Sequence, residues 1–381
     1  MDKGNVLVIG NSGVGKSTLI NAVIGEQRAE TSWGTTGTTK KLNIYESEEA
    51  PFRVIDTVGF EPSLIKEFRA INAVKKWSKE AAKKGDPEKK INIIWFCVDG
   101  TSRKLFEKTI KDLSMATKIW ESVPIIVVIT KSYSIPERQE NIEMVHNAFA
   151  KQKTSKNLKA VIPVVASTYV LNETAFAPPE GITELISCTN EYMPEGIKAA
   201  DTDIFSFKLK RKNVLSQGMI GTATSAGVVV GAVSIPFSDG IVLSALEMGE
   251  VTALSKIYDI KQDEKTKKFI NSIIEVGTVG AAAKTLISGI KMIPGLNIAG
   301  AGLNAVIAGV FVATLGEASK YLFEQIYLGN KTVEDIDWAT KITESKFAND
   351  TLEKCKKILE NINESSDNKS IANMIKAIFN L

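Results

Sequence analysis

Short runs of β-branched residues alternate with longer amphipathic stretches from the start of the chain to about Cys188, the pattern of strands and helices wound in turn around a buried sheet. Val6 to Ile9, Phe52 to Ile55, Ile91 to Val98, Ile125 to Ile129 and Ala160 to Val165 lack polar alternation and predict strands covered on both faces, hence parallel. Leu42 to Tyr45 predicts an antiparallel edge partner. Ser63 to Lys84 keeps Leu64, Phe68, Ile71, Val74 and Trp77 at helical spacing, which leaves its lysines on a solvated face. Around Met193-Pro194-Glu195-Gly196 the composition changes, and a charged connector ends in Lys208-Leu209-Lys210-Arg211-Lys212. From Asn213 to Ser238 there is no charged residue, and a second apolar region, Val276 to Gly316, is interrupted by Lys284 and Lys291. Both regions consist mainly of Gly, Ala, Ser and Val. Each leads from a small-residue helix through Ser234-Ile235-Pro236 or Met292-Ile293-Pro294 to a second helix reaching Ser255-Lys256 or Ser319-Lys320, which reads as an internal repeat. The expected architecture is an α/β domain with a mostly parallel, doubly wound sheet over residues 1–195. An all-α, Gly/Ala-rich domain follows over 196–381, duplicated at about 213–260 and 276–328.

A chain of 381 residues is long enough for two cores, and 44% hydrophobic with 24% charged residues is an ordinary globular composition. Lys and Arg exceed Asp and Glu by 47 − 44 = 3, so net charge gives no support to a nucleic-acid partner. Cys97, Cys188 and Cys355 lie far apart without pairing or metal-ligand spacing, which suits reduced thiols. Met1-Asp2-Lys3 leads directly into a strand without a cleavable apolar region, so a cytoplasmic location is expected.

Chemistry enters directly after the first strand. Gly10-Asn11-Ser12-Gly13-Val14-Gly15-Lys16-Ser17-Thr18 is a complete G-x-x-x-x-G-K-S segment between a strand and a helix. Polyphosphate needs several donors in little space: glycines let backbone N–H groups curl around it while a helix N-terminus points at it. Lys16 supplies a mobile positive charge and the Ser17 hydroxyl a ligand for Mg²⁺. Asp56 ends the Phe52 strand and could hold the same ion through water, and Gly59 has no side chain to keep its N–H from a terminal phosphate. Between them, Trp33 to Lys40 is a loop dense in Thr and Gly, suited to ordering around a phosphate-bound metal.

These segments resemble the translation-factor-related (TRAFAC) GTPase class, nearest its Era and TrmE branch, over roughly the first half of the chain. In that branch the switch reads G-T-T-R, and Gly37-Thr38-Thr39-Lys40 matches it with Lys for Arg, making Thr39 the implied third Mg²⁺ ligand. The resemblance implies a P-loop G domain that binds GTP and GDP, with Thr130 and Lys131 on the base and Ala166-Ser167 near guanine O6. The second half, with the turn at Ile235 to Gly240, is similar to the YcjF-like domain that bacteria attach to such GTPases. Three departures stand out. Thr130-Lys131-Ser132-Tyr133 lacks the aspartate of N/T-K-x-D that accepts from guanine N1 and N2. Phe60 stands where many relatives place a catalytic glutamine, which leaves the catalytic residue unknown and implies slow hydrolysis. Gly13 replaces the asparagine of potassium-activated members. His146, the chain's one histidine, lies in a helical stretch rather than in a catalytic set.

The expected function is a GTP-binding switch with slow hydrolysis whose helical domain reports nucleotide state to a protein partner, a membrane surface or a second copy in a nucleotide-dependent dimer. Two other readings stand beside it: a nucleotide-binding module with negligible turnover, and a ribosome- or RNA-associated GTPase of the Era kind, for which Lys75, Lys76, Lys83 and Lys84 offer only weak support. For the region 213–316 the length suits membrane helices and Gly227 and Gly231 have G-x-x-x-G spacing, while the low hydropathy, the prolines and the two lysines suit packed soluble or peripheral helices.

Overall fold

The computed structural model describes residues 3–25, 29–33, 42–56, 90–102, 106–116, 122–172, 174–232, 241–279, 300–348, 351–362 and 366–381. It forms two compact units, one of residues 1–167 with 179–211 and the other of 168–178 with 212–381.

Among the described residues of the first unit, seven strands make one sheet in the order β2-β3-β4-β1-β5-β6-β7. They are β1 (Gly4–Ile9), β2 (Ala29–Trp33), β3 (Leu42–Glu46), β4 (Phe52–Asp56), β5 (Ile91–Asp99), β6 (Ile125–Thr130) and β7 (Leu158–Pro163). β4, β1, β5, β6 and β7 run parallel, and β2 and β3 are antiparallel additions at one edge. β1 and β6 are buried at every position, as their unbroken apolar runs require. Helices α1 (Lys16–Ile24), α2 (Phe106–Ala116), α3 (Ile135–Ala150) and α4 (Ile182–Glu191) cover the faces. Leu7, Ile9, Phe96, Val127, Ile129, Val145 and Phe149 belong to the central core. Trp95 is fully buried beside Phe52, edge to face at 5.8 Å between ring centroids, and its indole N–H donates to Thr189 Oγ1 at 3.0 Å. β2 was not expected: Ala29 to Trp33 has no strand periodicity, and its register against Glu46 to Leu42 defines it. β7 also ends earlier than its apolar run suggests, because Val165 pairs with Glu180 and Val164 O accepts from the Ser132 N–H instead of continuing the ladder.

Among the described residues the second unit is helical apart from a hairpin of β8 (Tyr169–Asn172) and β9 (Ala175–Ala177). Helix α5 (Asp201–Ala232) contains the division at Arg211/Lys212, and α6 (Ile241–Ile257), α7 (Glu264–Val279), α8 (Gly300–Tyr327), α9 (Ile336–Ala348), α10 (Thr351–Asn361) and α11 (Asn368–Phe379) follow. The small residues bring helix backbones together. A Cβ on Gly231 of α5 would lie 2.6 Å from Asn304 O and Ala308 Cβ of α8, and one on Gly309 would lie 2.6 Å from Val228 Cγ2. Lys212, last of the basic run, is not solvated: its ammonium is buried against Ile257 O at 2.6 Å and Asp259 Oδ2 at 2.8 Å, under the ring of Tyr327. α5 and α8 are long and apolar enough to cross a membrane, yet 78% of the apolar window of α8 is buried within the protein. The helix expected over 63–84, the turn at 235–240 and residues 280–299 of the second apolar region lie outside the described residues.

Candidate functional site

The C-terminal ends of the parallel strands bring most of the chemistry expected from sequence to one edge. β1 lies between β4 and β5, so the strands that follow β1 in sequence lie on one side of it and those that follow β4 on the other, the place where such sheets open a crevice. The loop that follows β1 takes its shape from glycine. Gly13 and Gly15 have φ of +80° and +96°, angles that a Cβ would strain, and Gly15 caps the N-terminus of α1. Gly10 lies so close to β5 that a Cβ would come within 2.5 Å of Cys97 O. Leu19, Ile20 and Val23 bury the other end of α1, so its first turn is fixed with Ser17 and Thr18 facing solvent and Ser12 and Gly13 exposed before it. Asn11, half-buried, reaches Thr109 Oγ1 with its amide at 3.5 Å, and Val14 is buried.

Lys16 folds back over this loop, its ammonium donating to Gly10 O at 2.6 Å and Asn11 O at 2.9 Å. Asp56, fully buried, ends β4 opposite Val8 of β1. Both charges act on the Cys97 thiol beneath the loop: burial pushes it up to about 12, Lys16 pulls it down and Asp56 adds to the rise. That thiol stays protonated and serves packing.

The third component comes from β6. Thr130 Oγ1 donates to Val14 O at 2.5 Å and lies 3.0 Å from Val98 O, which ties the end of β6 to the loop after β1. Lys131, in a left-handed conformation with φ of +54°, places its ammonium 2.7 Å from Gly13 O and 2.6 Å from Asp99 Oδ2. Burial opposes ionisation of Asp99, but hydrogen bonds from Lys131 and Thr101 outweigh it and hold the carboxyl below its usual value. Ala166 and Ser167 follow β7, the first half-buried and the second exposed. Gly59, Phe60 and Thr39 lie outside the described residues. His146 is exposed on α3.

Sequence reading missed three residues here. Asp99 is the acidic partner of Lys131, and Arg138 and Glu180 form an ion pair beside Ser132 and Val165. Asp99 ends an apolar run and could have been noticed as the one acid there. The pair is 42 residues apart in sequence and leaves no local signal.

A glycine-shaped loop leading into a helix, a lysine over its carbonyls and an acid at the neighbouring strand end define a P-loop nucleotide-binding fold. Residues 5–131 match the family described as 50S ribosome-binding GTPase. Over that third of the chain the sequence is similar to the GTPase domains of this family. Among curated relatives, GTPase Der of Trichlorobacter lovleyi is 36% identical over 86 residues, covering 22% of this chain and 18% of its own. GTPase Era of Pasteurella multocida is 28% identical over 166 residues, covering 43% of this chain and 48% of its own. The chain therefore spans at most about half the length of these relatives. The crystal structure of a point variant of Aquifex aeolicus Era bound to GDP·AlF4⁻ shares 21% identity, with a TM-score of 0.32 over 57% of this chain and 68% of that one. The family match ends at residue 131 and does not reach the helical half, so the YcjF-like likeness stays an expectation.

Proposed function

We propose that the chain is a GTP-binding switch that hydrolyses GTP slowly, with residues 1–195 holding the nucleotide and 196–381 passing its state to a protein partner or a membrane surface. The observation that carries this reading is the joining of Thr130 and Lys131 to the P-loop at Val14 O and Gly13 O, which makes the phosphate loop and the base end of the site one continuous piece. In this reading the amides of residues 11–18 bind the phosphates, Lys16 turns from the Gly10 and Asn11 carbonyls to the β- and γ-phosphates, and Lys131 lies along the base. Ala166 and Ser167 approach guanine O6, and Gly59 approaches the γ-phosphate.

Mg²⁺ fits the donors present, since the exposed Ser17 hydroxyl and the buried Asp56 carboxylate end neighbouring strand connections. Ser17 would bind it directly, Asp56 through water and Thr39 as a third ligand, and the ion would neutralise charge developing on the phosphates. Phe60 cannot orient a water molecule, which supports slow turnover unless a partner supplies that group. The burial of α8 within its own unit favours a soluble or membrane-peripheral helical part.

The test is calorimetry with GTP, GDP and ATP at one Mg²⁺ concentration, followed by single-turnover hydrolysis. GTP should bind at least about tenfold more tightly than ATP, roughly 1.4 kcal/mol. Equal affinity for the two overturns the guanine assignment. Tight binding with no turnover leaves a nucleotide-binding module in place of a switch.

A further inference from the structure

One guanidinium reaches both loops assigned to the base. Arg138, in the first turn of α3, donates from Nε to Ser132 O at 2.9 Å and from Nη2 to Glu180 Oε2 at 2.5 Å. Ser132 belongs to the loop that carries Thr130 and Lys131. Glu180 belongs by its backbone to the other loop: it exchanges two hydrogen bonds with Val165, each 3.0 Å, immediately before Ala166 and Ser167. The Ser132 N–H donates across the same gap to Val164 O at 3.2 Å. Gly181 allows this approach, because at its φ of +77° a Cβ would lie 2.3 Å from Pro163 O. Both side chains are largely enclosed, Arg138 at 19% and Glu180 at 22% exposure, so the pair is shielded from the solvent that weakens open surface pairs.

Tyr133 stands where a carboxylate would accept from guanine N1 and N2, so selection between purines falls on backbone groups of the two loops. A backbone donor separates a 6-oxo from a 6-amino purine only if it is held to within about half an ångström of its hydrogen-bonding position. Such a tolerance needs both loops fixed to one another. We propose that Arg138 and Glu180 are positioning residues for base recognition, setting the separation of the loops at 130–133 and 166–167 so that purine selectivity depends on the pair and phosphate affinity does not. This rests on the nucleotide-site reading above. Arginine suits the role because its planar fork can serve a carbonyl and a carboxylate at once, which a lysine ammonium does with neither the same reach nor direction.

The experiment measures GDP, ADP and inorganic tripolyphosphate, each with Mg²⁺, against the full chain by calorimetry. For Arg138→Ala the preference for GDP over ADP should fall from about tenfold to within about threefold, while tripolyphosphate binds as to the unaltered protein. Glu180→Gln, which still accepts from Nη2, should keep most of the preference, and Arg138→Lys should resemble the alanine variant. An unchanged GDP to ADP ratio in Arg138→Ala overturns the proposal. So does a parallel loss for all three ligands, which would make the pair a fold-stabilising contact. If the unaltered protein binds tripolyphosphate as tightly as GDP, the base-loop assignment itself fails, and the proposal with it.

Discussion

Replacing Glu247 by Gln should stabilise the helical unit at neutral pH and leave it nearly unchanged in mild acid. Glu247 and Glu250 lie on α6 and are almost wholly buried, at 1% and 0% exposure. Among the described residues, Glu247 Oε2 and both oxygens of Glu250 lack a hydrogen-bond partner. Burial pushes the Glu247 carboxyl from 4.5 up to about 8, and burial followed by repulsion from Glu247 and from Glu317 on α8 pushes Glu250 well above its usual value. The unfolded chain releases the Glu247 proton near 4.5 and the folded chain keeps it to about 8, so the unfolded state binds fewer protons across that interval. Stability is therefore full below 4.5 and falls as pH rises toward 8. Each pH unit costs roughly 1.4 kcal/mol, or about 3 kcal/mol from pH 5 to pH 7. Glutamine has the same volume and no proton to lose. It leaves an unpaired polar group much as the protonated acid does, so the two proteins should have similar stability near pH 4. Urea midpoints read by pulsed hydrogen exchange on peptides from α6 and α8 isolate this unit from the other. The reasoning is refuted if the variant keeps the pH slope of the parent, or is the less stable of the two at pH 7.

Lys16→Ala should abolish tight nucleotide binding while circular dichroism stays unchanged, because the phosphates lose their mobile cation; folded protein with undiminished affinity would contradict the site. Thr189→Val should cost about 1–3 kcal/mol in urea unfolding, since it leaves the buried Trp95 N–H without its acceptor. Gly231→Val should destabilise by about 1–3 kcal/mol, or more, because its side chain meets Asn304 O and Ala308 of α8, whereas Gly196→Ala, with open space around it, should be near neutral in the same melt. If the helical half is an output element, hydrogen exchange should differ between GDP and a non-hydrolysable GTP analogue both in 35–40 and somewhere in 213–316. A change confined to the first segment would make that half a passive anchor.

The P-loop was legible because all its work is done by consecutive residues, whose identities are constrained by one turn and one helix start. The central strands were legible because burial on both faces removes polar residues from the run. β2 was hidden because Ala29 to Trp33 becomes a strand only by pairing with β3. The hairpin at 169–177 was missed although Tyr169-Val170-Leu171 has strand-forming residues, since three apolar residues in a row do not declare which fold unit they serve. Arg138 and Glu180 each look like ordinary surface charges along the chain, and only the return of residue 180 to Val165 gives them a shared task. Glu247 and Glu250 likewise read as the polar face of a helix. Nothing local tells a carboxylate that other helices will close over it.

The hairpin has a practical effect on dissection of the chain. Residues 168–178 lie between β7 and α4 in sequence yet pack with the helices, Thr174 O so close to Gly249 of α6 that no Cβ would fit between them. No single scission therefore separates the two units. A fragment ending near residue 195 would retain the hairpin but lose its seat on α6, baring β9 beside Tyr169, Val170 and Leu171, which are exposed already, as a template for association with other chains. A fragment beginning after it would leave the α6 surface around Gly249 bare. Recombinant halves of this protein should be soluble only when residues 168–178 are excised from the first and supplied to the second.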